Sequence, residues 1–267
     1  MSNRKTRDRQ LRKLHERRIM QRRRQKRQRS LTMIIASVLV VSLAVGLVFV
    51  LANRSTKTSA NSKPSSVPTT ASPTAATVAC EGSVPKAASQ EKAKYKKPPK
   101  MTIDPKKTYT ATIETSCGTI VMKLDPKLAP NTVNSFVFLA HHHFYDGLIF
   151  HRISKDFVIQ GGDPTGTGTS GPGYSTVDAP PKDATYPIGT VAMAKAGTDP
   201  AGTSGSQFFI VTGKNGETLS ADYAIIGTVT SGQDVAKAIE DLPIQGGATD
   251  GKPAETVYIE SVRIKAT

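Results

Sequence analysis

Residues 101–267 of the sequence predict an all-β domain that also contains two α-helices. Apolar residues in this region occur mainly in short runs of strand length, and glycine-containing turns separate the runs. Only two segments show the spacing of an amphipathic helix. Many short strands with few helices are typical of an all-β domain, and closure of such a sheet into a barrel would remove its exposed edges.

The predicted elements follow one another closely along the chain. Two strands, at 109–115 and 119–124, flank a Ser-Cys-Gly turn and predict an antiparallel hairpin. Pro130 suits the first turn of a helix that ends near residues 141–143 and buries apolar residues at helical spacing. The remaining predicted elements are strands at 157–160, 190–194, 207–212, 223–229 and 256–265, and a second helix at 233–242.

The N-terminal part of the chain has a different character. Residues 1–30 contain fourteen Lys and Arg against two acidic residues, and they carry most of the net charge of +15. Residues 31–52 contain no charged residue, and a helix of that length, about 33 Å, matches the hydrocarbon core of a bilayer. We predict a transmembrane helix, with a cleaved signal peptide as the alternative because small residues end the apolar run.

Charge asymmetry around the predicted helix gives its orientation. Positive residues before the helix place residues 1–30 in the cytoplasm as a basic arm and the rest of the chain outside, anchored to the cell membrane by a single pass. The arm is interpreted as a topology signal, since it has no aromatic residues for base stacking; nucleic-acid binding is the minor alternative and is not expected.

Residues 53–100 are rich in Ser, Thr, Ala, Pro and Lys and show no apolar periodicity. Such a segment buries too little surface to offset the entropy of ordering, so a disordered tether is predicted. Cys80 and Cys117 are the two cysteines of the chain. In an extracytoplasmic domain we expect them to form a disulfide that pins residues 81–107 onto the domain.

Two stretches of the predicted domain suggest a common surface. On strands, Val158 and Gln160 would share one face, and so would Gln207 and Phe209. Arg152 stands alone among apolar residues just before the first of these stretches, where an ion-pair or surface role is the ordinary interpretation. Together, the apolar groups, amides and guanidinium would suit a small apolar ring next to a polar amide.

Four segments resemble the signature of cyclophilin-type peptidyl-prolyl cis-trans isomerases. They are Phe-His-Arg at 150–152 and residues 157–163, 193–197 and 205–210. The resemblance extends from about residue 109 to about residue 265. It implies a closed eight-stranded antiparallel barrel capped by two α-helices. With the predicted N-terminal segments, it implies a membrane-anchored bacterial form of the family.

The resemblance also implies the roles of matching residues. Arg152 is the expected electrophilic group and acts with Gln160 and Phe209 as the catalytic set. Apolar neighbours would form a proline pocket, and residues 194–196 would bind the residue before proline. The expected substrate-binding residues are Phe157, Val158, Ala194, Lys195, Ala196, Gln207, Leu219 and Tyr223.

Several residues depart from the family pattern. Val158 replaces a commoner Met, which implies a roomier and less adaptable pocket. Lys195 replaces a commoner Asn, and Tyr223 occupies a position where the family often has His. Thr218 stands where some members carry Trp, which implies weaker contacts with cyclosporin.

Isomerisation of an X-Pro bond breaks no covalent bond, so the implied mechanism needs no nucleophile, metal or cofactor. The expected partners are proline-containing unfolded or nascent secreted proteins, bound by a monomeric domain that assists their folding. The alternative function is a membrane-anchored chaperone that retains proline segments with little turnover. The presence of Arg152 together with Gln160 and Phe209 favours the enzyme.

Other patterns in the domain are given no functional weight. The three histidines at 141–143 point about 100° apart on a helix, so they cannot all bind one metal ion. The glycine-rich segment 163–173 contains G-x-G-x-x-G, but its proline-glycine end prevents the helix that a dinucleotide site needs. Ser204 and Ser206 lack a matching His and Asp for hydrolysis, and His151 is expected to be structural.

Overall fold

The structure is a computed structural model that describes residues 77–267 of the chain. The predicted basic arm (1–30), the predicted membrane helix (31–52) and residues 53–76 of the predicted tether lie outside the described residues. Among residues 77–267, no helix is both long enough and apolar enough to cross a membrane.

Most of the regular secondary structure in the described residues is β-strand, which confirms the all-β prediction, and both predicted α-helices are present. The strands are β1 (Tyr109–Thr115), β2 (Gly118–Leu124), β3 (Phe150–Ser154), β4 (Val158–Gly161), β5 (Thr176–Val177), β6 (Thr190–Met193), β7 (Thr203–Ser204), β8 (Phe208–Val211), β9 (Ile225–Ser231), β10 (Asp250–Gly251) and β11 (Ile259–Ala266). The α-helices are α1 (Pro130–His141) and α2 (Gln233–Asp241). Short 3-10 helices occupy Ala79–Glu81, Lys86–Ser89, Lys214–Thr218 and Gln245–Gly247.

The main sheet is antiparallel and curled, with the strand order β10-β3-β4-β8-β6-β9-β2-β1-β11. The predicted count of eight strands is therefore wrong, because the two-residue strand β10 adds a ninth. In the described part of the chain, β10 and β11 are edges that no ladder joins, so the sheet is a half-barrel. The Phe150 amide nevertheless donates to the Val257 carbonyl (3.0 Å), which brings β3 close to the segment that precedes β11.

The two faces of the sheet belong to different apolar clusters. The larger cluster fills the space between the sheet and both helices, and it includes Ile159 and Ile210. Alternation along the same strands turns Val158 and Phe209 to the opposite, outer face. There they form a smaller cluster around Tyr186, which is fully buried. This outer cluster positions the candidate site.

Residues 77–107 pack against the domain and form a segment that we call the strap. The first turn of the strap is fixed by two backbone hydrogen bonds with Thr256, whose carbonyl accepts one and whose amide donates the other. The Cys80–Cys117 disulfide, whose Cα atoms lie 5.0 Å apart, fixes the same turn. The predicted disulfide is therefore confirmed. The predicted disorder of residues 53–100 is wrong for residues 77–100, because this end of the segment is held at several points along its length.

Further along the strap, Tyr95 and Lys100 contact helix α1 and a neighbouring loop. The Tyr95 ring packs edge-on against Phe138 (5.1 Å between centroids), and its amide donates to the Pro172 carbonyl (2.8 Å). The Asn134 side chain on α1 donates to the Lys100 carbonyl (3.0 Å). The strap therefore lies along one side of α1.

The other element predictions agree with the structure to within three residues at each boundary. Strands β3, β5, β7 and β10 were not predicted. Three of these have only two residues, which is too short for apolar alternation to be visible in the sequence.

Candidate active site

The predicted catalytic residues form one row across the sheet. Arg152 on β3 pairs with Gln160 on β4, and Gln160 pairs with Phe209 on β8. Phe209 pairs in turn with Ala192 on β6. Residues directly opposite one another project from the same face of a sheet, so these side chains meet on the outer face. The sequence-based expectation of a shared surface is confirmed.

A cavity of about 220 Å³ lies over this row. It brings together nine of the eleven predicted site residues, including the complete catalytic set. The lining residues are Arg152, Phe157, Val158, Gln160, Ala194, Lys195, Phe209, Leu219 and Tyr223.

Arg152 reaches this cavity between two hydrogen-bonding partners. Its Nε and Nη2 atoms donate to Oδ1 and Oδ2 of Asp250 at 2.8 and 2.6 Å, which is a parallel bidentate pair. Its Nη1 atom donates to Oε1 of Gln160 at 3.1 Å. About a third of the Arg152 side chain remains exposed, so it is an ion-pair partner and still accessible to a ligand.

The two glutamines continue the network away from Arg152. Gln160 Nε2 donates to Gln207 Oε1 (3.0 Å), and Gln207 Nε2 donates to the Ser170 carbonyl (2.9 Å). Each amide therefore uses one end to orient its neighbour. Because the amide nitrogen of Gln160 donates to Gln207, the amide oxygen of Gln160 faces Arg152.

The apolar wall of the cavity is built from aromatic rings that contact each other edge to face. The rings of Phe209 and Tyr223 lie 5.4 Å apart at 88°. Tyr223 is held from behind by Tyr186, whose hydroxyl donates to the Tyr223 carbonyl (2.9 Å) and accepts from its amide (3.0 Å). Since Phe209 and Val158 are almost completely buried, the pocket wall is preformed.

Lys195 lines the cavity and is part of an ion pair. Its side chain is only 3% exposed, and its Nζ atom lies 2.8 Å from Oδ2 of Asp222. The same ammonium donates to the carbonyl of Asp199 (3.0 Å). The charge of Lys195 is therefore paired within the protein.

A second cavity of about 430 Å³ adjoins the first and shares Gln160, Ala194 and Lys195 with it. The two predicted site residues that are missing from the smaller cavity, Ala196 and Gln207, line this larger one. Its other lining residues are Gly168, Thr169, Ser170, Ser175, Asp199, Thr203, Gly205 and Ser206.

The glycine-rich loop beside the larger cavity folds around the Asp163 carboxylate. Oδ1 accepts from the amide and hydroxyl of Thr165 (2.7 and 2.8 Å), and Oδ2 accepts from the amide of Ser170 (3.2 Å). Burial acts to raise the pKa of Asp163, but these hydrogen bonds together lower it below its ordinary value. The segment is thus a structured loop that presents Ser170 to Gln207.

The patterns given no functional weight have structural partners. His142 Nδ1 contacts the Phe138 carbonyl at 2.8 Å, and His143 Nδ1 contacts Asp146 Oδ2 at 2.8 Å. The hydroxyl of Ser206 donates to the Gly162 carbonyl at 2.7 Å. In the part of the chain that the structure describes, no group of three metal-ligating side chains is found.

Comparison with known proteins agrees with this geometry. Residues 110–264 match the family model described as cyclophilin type peptidyl-prolyl cis-trans isomerase/CLD. The chain belongs to the cyclophilin family. Peptidyl-prolyl cis-trans isomerase A of Mycobacterium tuberculosis (strain ATCC 25618 / H37Rv) is 41% identical over 185 residues, which cover 61% of this chain and 96% of the relative.

Two further relatives support the same assignment of this cyclophilin. Peptidyl-prolyl cis-trans isomerase B of Bacillus subtilis (strain 168) is 46% identical over 119 residues, covering 44% of this chain and 80% of the relative. A crystal structure of a Cryptosporidium parvum cyclophilin type isomerase, in the presence of the dipeptide Ala-Pro, has 31% identity and a TM-score of 0.53. The match covers 59% of this chain and 99% of the chain in the crystal structure. The predicted enzyme class is confirmed.

Two acidic residues of the cyclophilin site were missed by the sequence analysis. Asp250 pairs with Arg152, and Asp222 pairs with Lys195. Asp250 lies 98 positions beyond Arg152 in the chain. The isolated Arg152 was the one signal that an acidic partner existed, but nothing in the sequence distinguished Asp250 from other carboxylates.

Proposed function

We propose that this cyclophilin isomerises X-Pro bonds of secreted proteins outside the cytoplasm, from a single-pass membrane anchor, and so assists their folding. The observation that carries the catalytic part is the row formed by Arg152, Gln160 and Phe209 over one preformed cavity. A solved relative studied in the presence of Ala-Pro supports a proline-containing peptide as the ligand.

The reaction requires stabilisation of a twisted amide. Rotation about a peptide bond has a barrier of about 18 to 20 kcal/mol because resonance gives the bond partial double-bond character. In the twisted state this resonance is lost, so the nitrogen becomes pyramidal and more basic. A donor near the proline nitrogen therefore lowers the barrier if it interacts more strongly with the twisted amide than with the planar one.

The described geometry supplies an apolar pocket for the proline ring and a donor for its amide. Val158, Phe209 and Leu219 offer apolar surface for the proline ring beside the Arg152 guanidinium. Arginine keeps its charge throughout the accessible pH range, so Arg152 can donate without exchanging a proton with the substrate. Gln160, held by Gln207, would restrain the guanidinium during rotation of the amide.

Two features support the extracytoplasmic location. The Cys80–Cys117 disulfide persists in oxidising compartments and is rare in the cytosol. The uncharged run at 31–52 follows a strongly basic segment, which is the charge asymmetry of a helix with a cytoplasmic N-terminus. Both features point to the same side of the membrane for the isomerase domain.

The catalytic proposal is tested by exchange NMR on a proline-containing peptide. Loss of a charge-assisted hydrogen bond of about 1.5 to 3 kcal/mol corresponds to roughly a ten- to hundredfold fall in rate, so Arg152→Ala should lower turnover by that factor. Arg152→Lys should recover only part of it, because lysine lacks the planar fork. Arg263→Ala, which removes an exposed arginine outside both cavities, is the matched control.

Phe209→Ala gives a contrasting result, because it removes a wall of the pocket and should weaken peptide binding as well as turnover. If Arg152→Ala keeps the wild-type exchange rate, the proposed role of Arg152 is wrong. If the wild type binds the peptide without accelerating exchange, the chaperone that retains proline segments becomes the better description.

The location is tested by protease treatment of intact cells expressing the full chain. Digestion of the isomerase domain, together with survival of residues 1–30, is the expected outcome. A domain that becomes digestible only after lysis would place it in the cytoplasm and overturn this part of the proposal.

A further inference from the structure

Asp250 occupies a defined place beside Arg152 on the outer face of the sheet. It stands opposite Ser154 in the pairing of β10 with β3. Arg152 and Ser154 share a face because they are two residues apart on β3. Asp250 is therefore the diagonal cross-strand neighbour of Arg152, within reach of a long side chain.

The backbone that carries Asp250 is anchored on both sides. The Lys155 amide donates to the Thr249 carbonyl (2.9 Å), and the Gln245 amide donates to the Lys252 carbonyl (3.0 Å). The short strand β10 is thus tied to β3 and to the turn that precedes it. A carboxylate on such a backbone has a fixed position from which to orient its partner.

The hydrogen-bond geometry divides the five N–H groups of Arg152 between the protein and the cavity. Asp250 accepts two of them, from Nε and from Nη2, and Gln160 accepts one from Nη1. An arginine has one N–H on Nε and two on each terminal nitrogen. One N–H on Nη1 and one on Nη2 are therefore left for a ligand.

We propose that Asp250 is a positioning residue of this isomerase, which fixes the guanidinium plane of Arg152 so that its two remaining N–H groups serve the proline amide. The inference rests on the proposed role of Arg152 in catalysis. Gln160 alone contacts one nitrogen and would leave the guanidinium free to rotate about that contact, whereas a bidentate carboxylate fixes the plane.

The state of the carboxylate is consistent with this role. The hydrogen bond from Arg152 lowers the pKa of Asp250 below its ordinary value, although partial burial acts in the opposite direction. An ionised carboxylate has two acceptor oxygens, and a bidentate pair needs both. The long Arg152 side chain is thereby ordered before the peptide binds, which is the condition for a preorganised donor.

The test is the exchange rate of a proline-containing peptide with the full chain carrying Asp250→Asn. Asparagine keeps the shape but offers one acceptor oxygen, and its amide would face the Arg152 donors. We expect turnover to fall about ten- to a hundredfold through misplacement of the donor, with the peptide Kd within about twofold of wild type. Asp250→Glu should restore part of the rate because it restores the carboxylate.

Two comparisons separate positioning from a structural effect. Asp241→Asn removes an exposed carboxylate that pairs with Lys237 on α2, and it should leave the rate unchanged. In an Arg152→Lys background, Asp250→Asn should have little further effect, since lysine has no fork to orient. Additive losses in that double variant would overturn the inference.

The outcomes also distinguish this inference from the proposed function. If Arg152→Ala loses activity but Asp250→Asn stays within about twofold of wild type, the positioning role is wrong and the role of Arg152 stands. If Arg152→Ala keeps full activity, both the catalytic assignment and the positioning role are overturned.

Discussion

The side chain of Lys195 is almost completely removed from solvent, which is uncommon for a lysine. Burial of a charge is costly unless the charge is paired, and here Asp222 and the Asp199 carbonyl provide the partners. Lys195 lines both cavities. The ion pair with Asp222 and the hydrogen bond to the Asp199 carbonyl therefore tie this part of the cavity wall together.

His151 gives a residue-scale prediction of pH dependence. Burial lowers its pKa below the ordinary value, while Asp163 acts to raise it and Arg152 to lower it. The unfolded chain then binds a proton on this histidine at about pH 6.5 and the folded chain does not, so stability falls as the pH drops below that value. Urea unfolding between pH 7.5 and 5 should show this loss, and His151→Asn should reduce the slope.

His141→Asn, which replaces an exposed histidine, is the comparison variant for this prediction. Parallel profiles for the wild type and His151→Asn would contradict the prediction.

At this scale the sequence predicted most of the site but not its acidic partners. Val158, Gln160 and Phe209 could be placed on one surface because strand alternation acts over two residues, within reach of sequence analysis. Asp250 reaches Arg152 through a turn and a two-residue strand, so its position depends on the packing of the complete sheet. Long-range ion pairs of this kind leave no periodic signal.

The strap is the element in which composition and structure disagree most. Residues 77–100 have the Lys, Ser and Pro content of a linker, and average composition predicts disorder for such a segment. A few specific contacts order it instead: the disulfide at Cys80, the Tyr95 ring on α1 and the carbonyl of Lys100 on Asn134. Compositional averages do not register single anchors of this type.

Tyr95 carries the element-scale prediction. Its ring lies 5.1 Å from Phe138 and 6.3 Å from both His142 and Tyr174. Aromatic pairs contribute about 0.5 to 1.5 kcal/mol each beyond area burial, so Tyr95→Ala should lower the free energy of unfolding by about 1 to 3 kcal/mol. Urea unfolding measures the change.

Tyr95→Phe keeps the ring and is the matched variant, with an unfolding free energy expected within about 0.5 kcal/mol of wild type. An equal loss in both variants would attribute the effect to the hydroxyl, and no loss in Tyr95→Ala would show that the strap is held without the aromatic contacts.

At the scale of the whole described molecule, the sheet separates stability from function. The large cluster between the sheet and the helices contains Ile159 and Phe208, while their neighbours Val158 and Phe209 line the smaller cavity. Strands β4 and β8 therefore serve both tasks through alternate residues. Substitutions at Val158 or Lys195 therefore need not alter the inner core, to which neither residue belongs.

The disulfide joins the strap to the β1–β2 turn and closes a loop of 37 residues. A crosslink of this length restricts the unfolded chain and is expected to stabilise the domain by about 2 to 4 kcal/mol. The double variant Cys80→Ser/Cys117→Ser should lose that free energy of unfolding. Its isomerase activity should stay near the wild-type value, because neither cysteine lines either cavity.

Reduction of the wild-type protein provides an internal control for this last prediction. In urea unfolding, a thiol reductant should lower the free energy of unfolding of the wild type by as much as the double substitution does. The reductant should not change the free energy of unfolding of the double variant. A large fall in activity in the variant would mean that the strap supports the site. Tyr95 contacts the glycine-rich loop, and Ser170 of that loop accepts a hydrogen bond from Gln207. Equal stability of the oxidised and reduced wild type would show instead that the remaining contacts of the strap suffice to hold it.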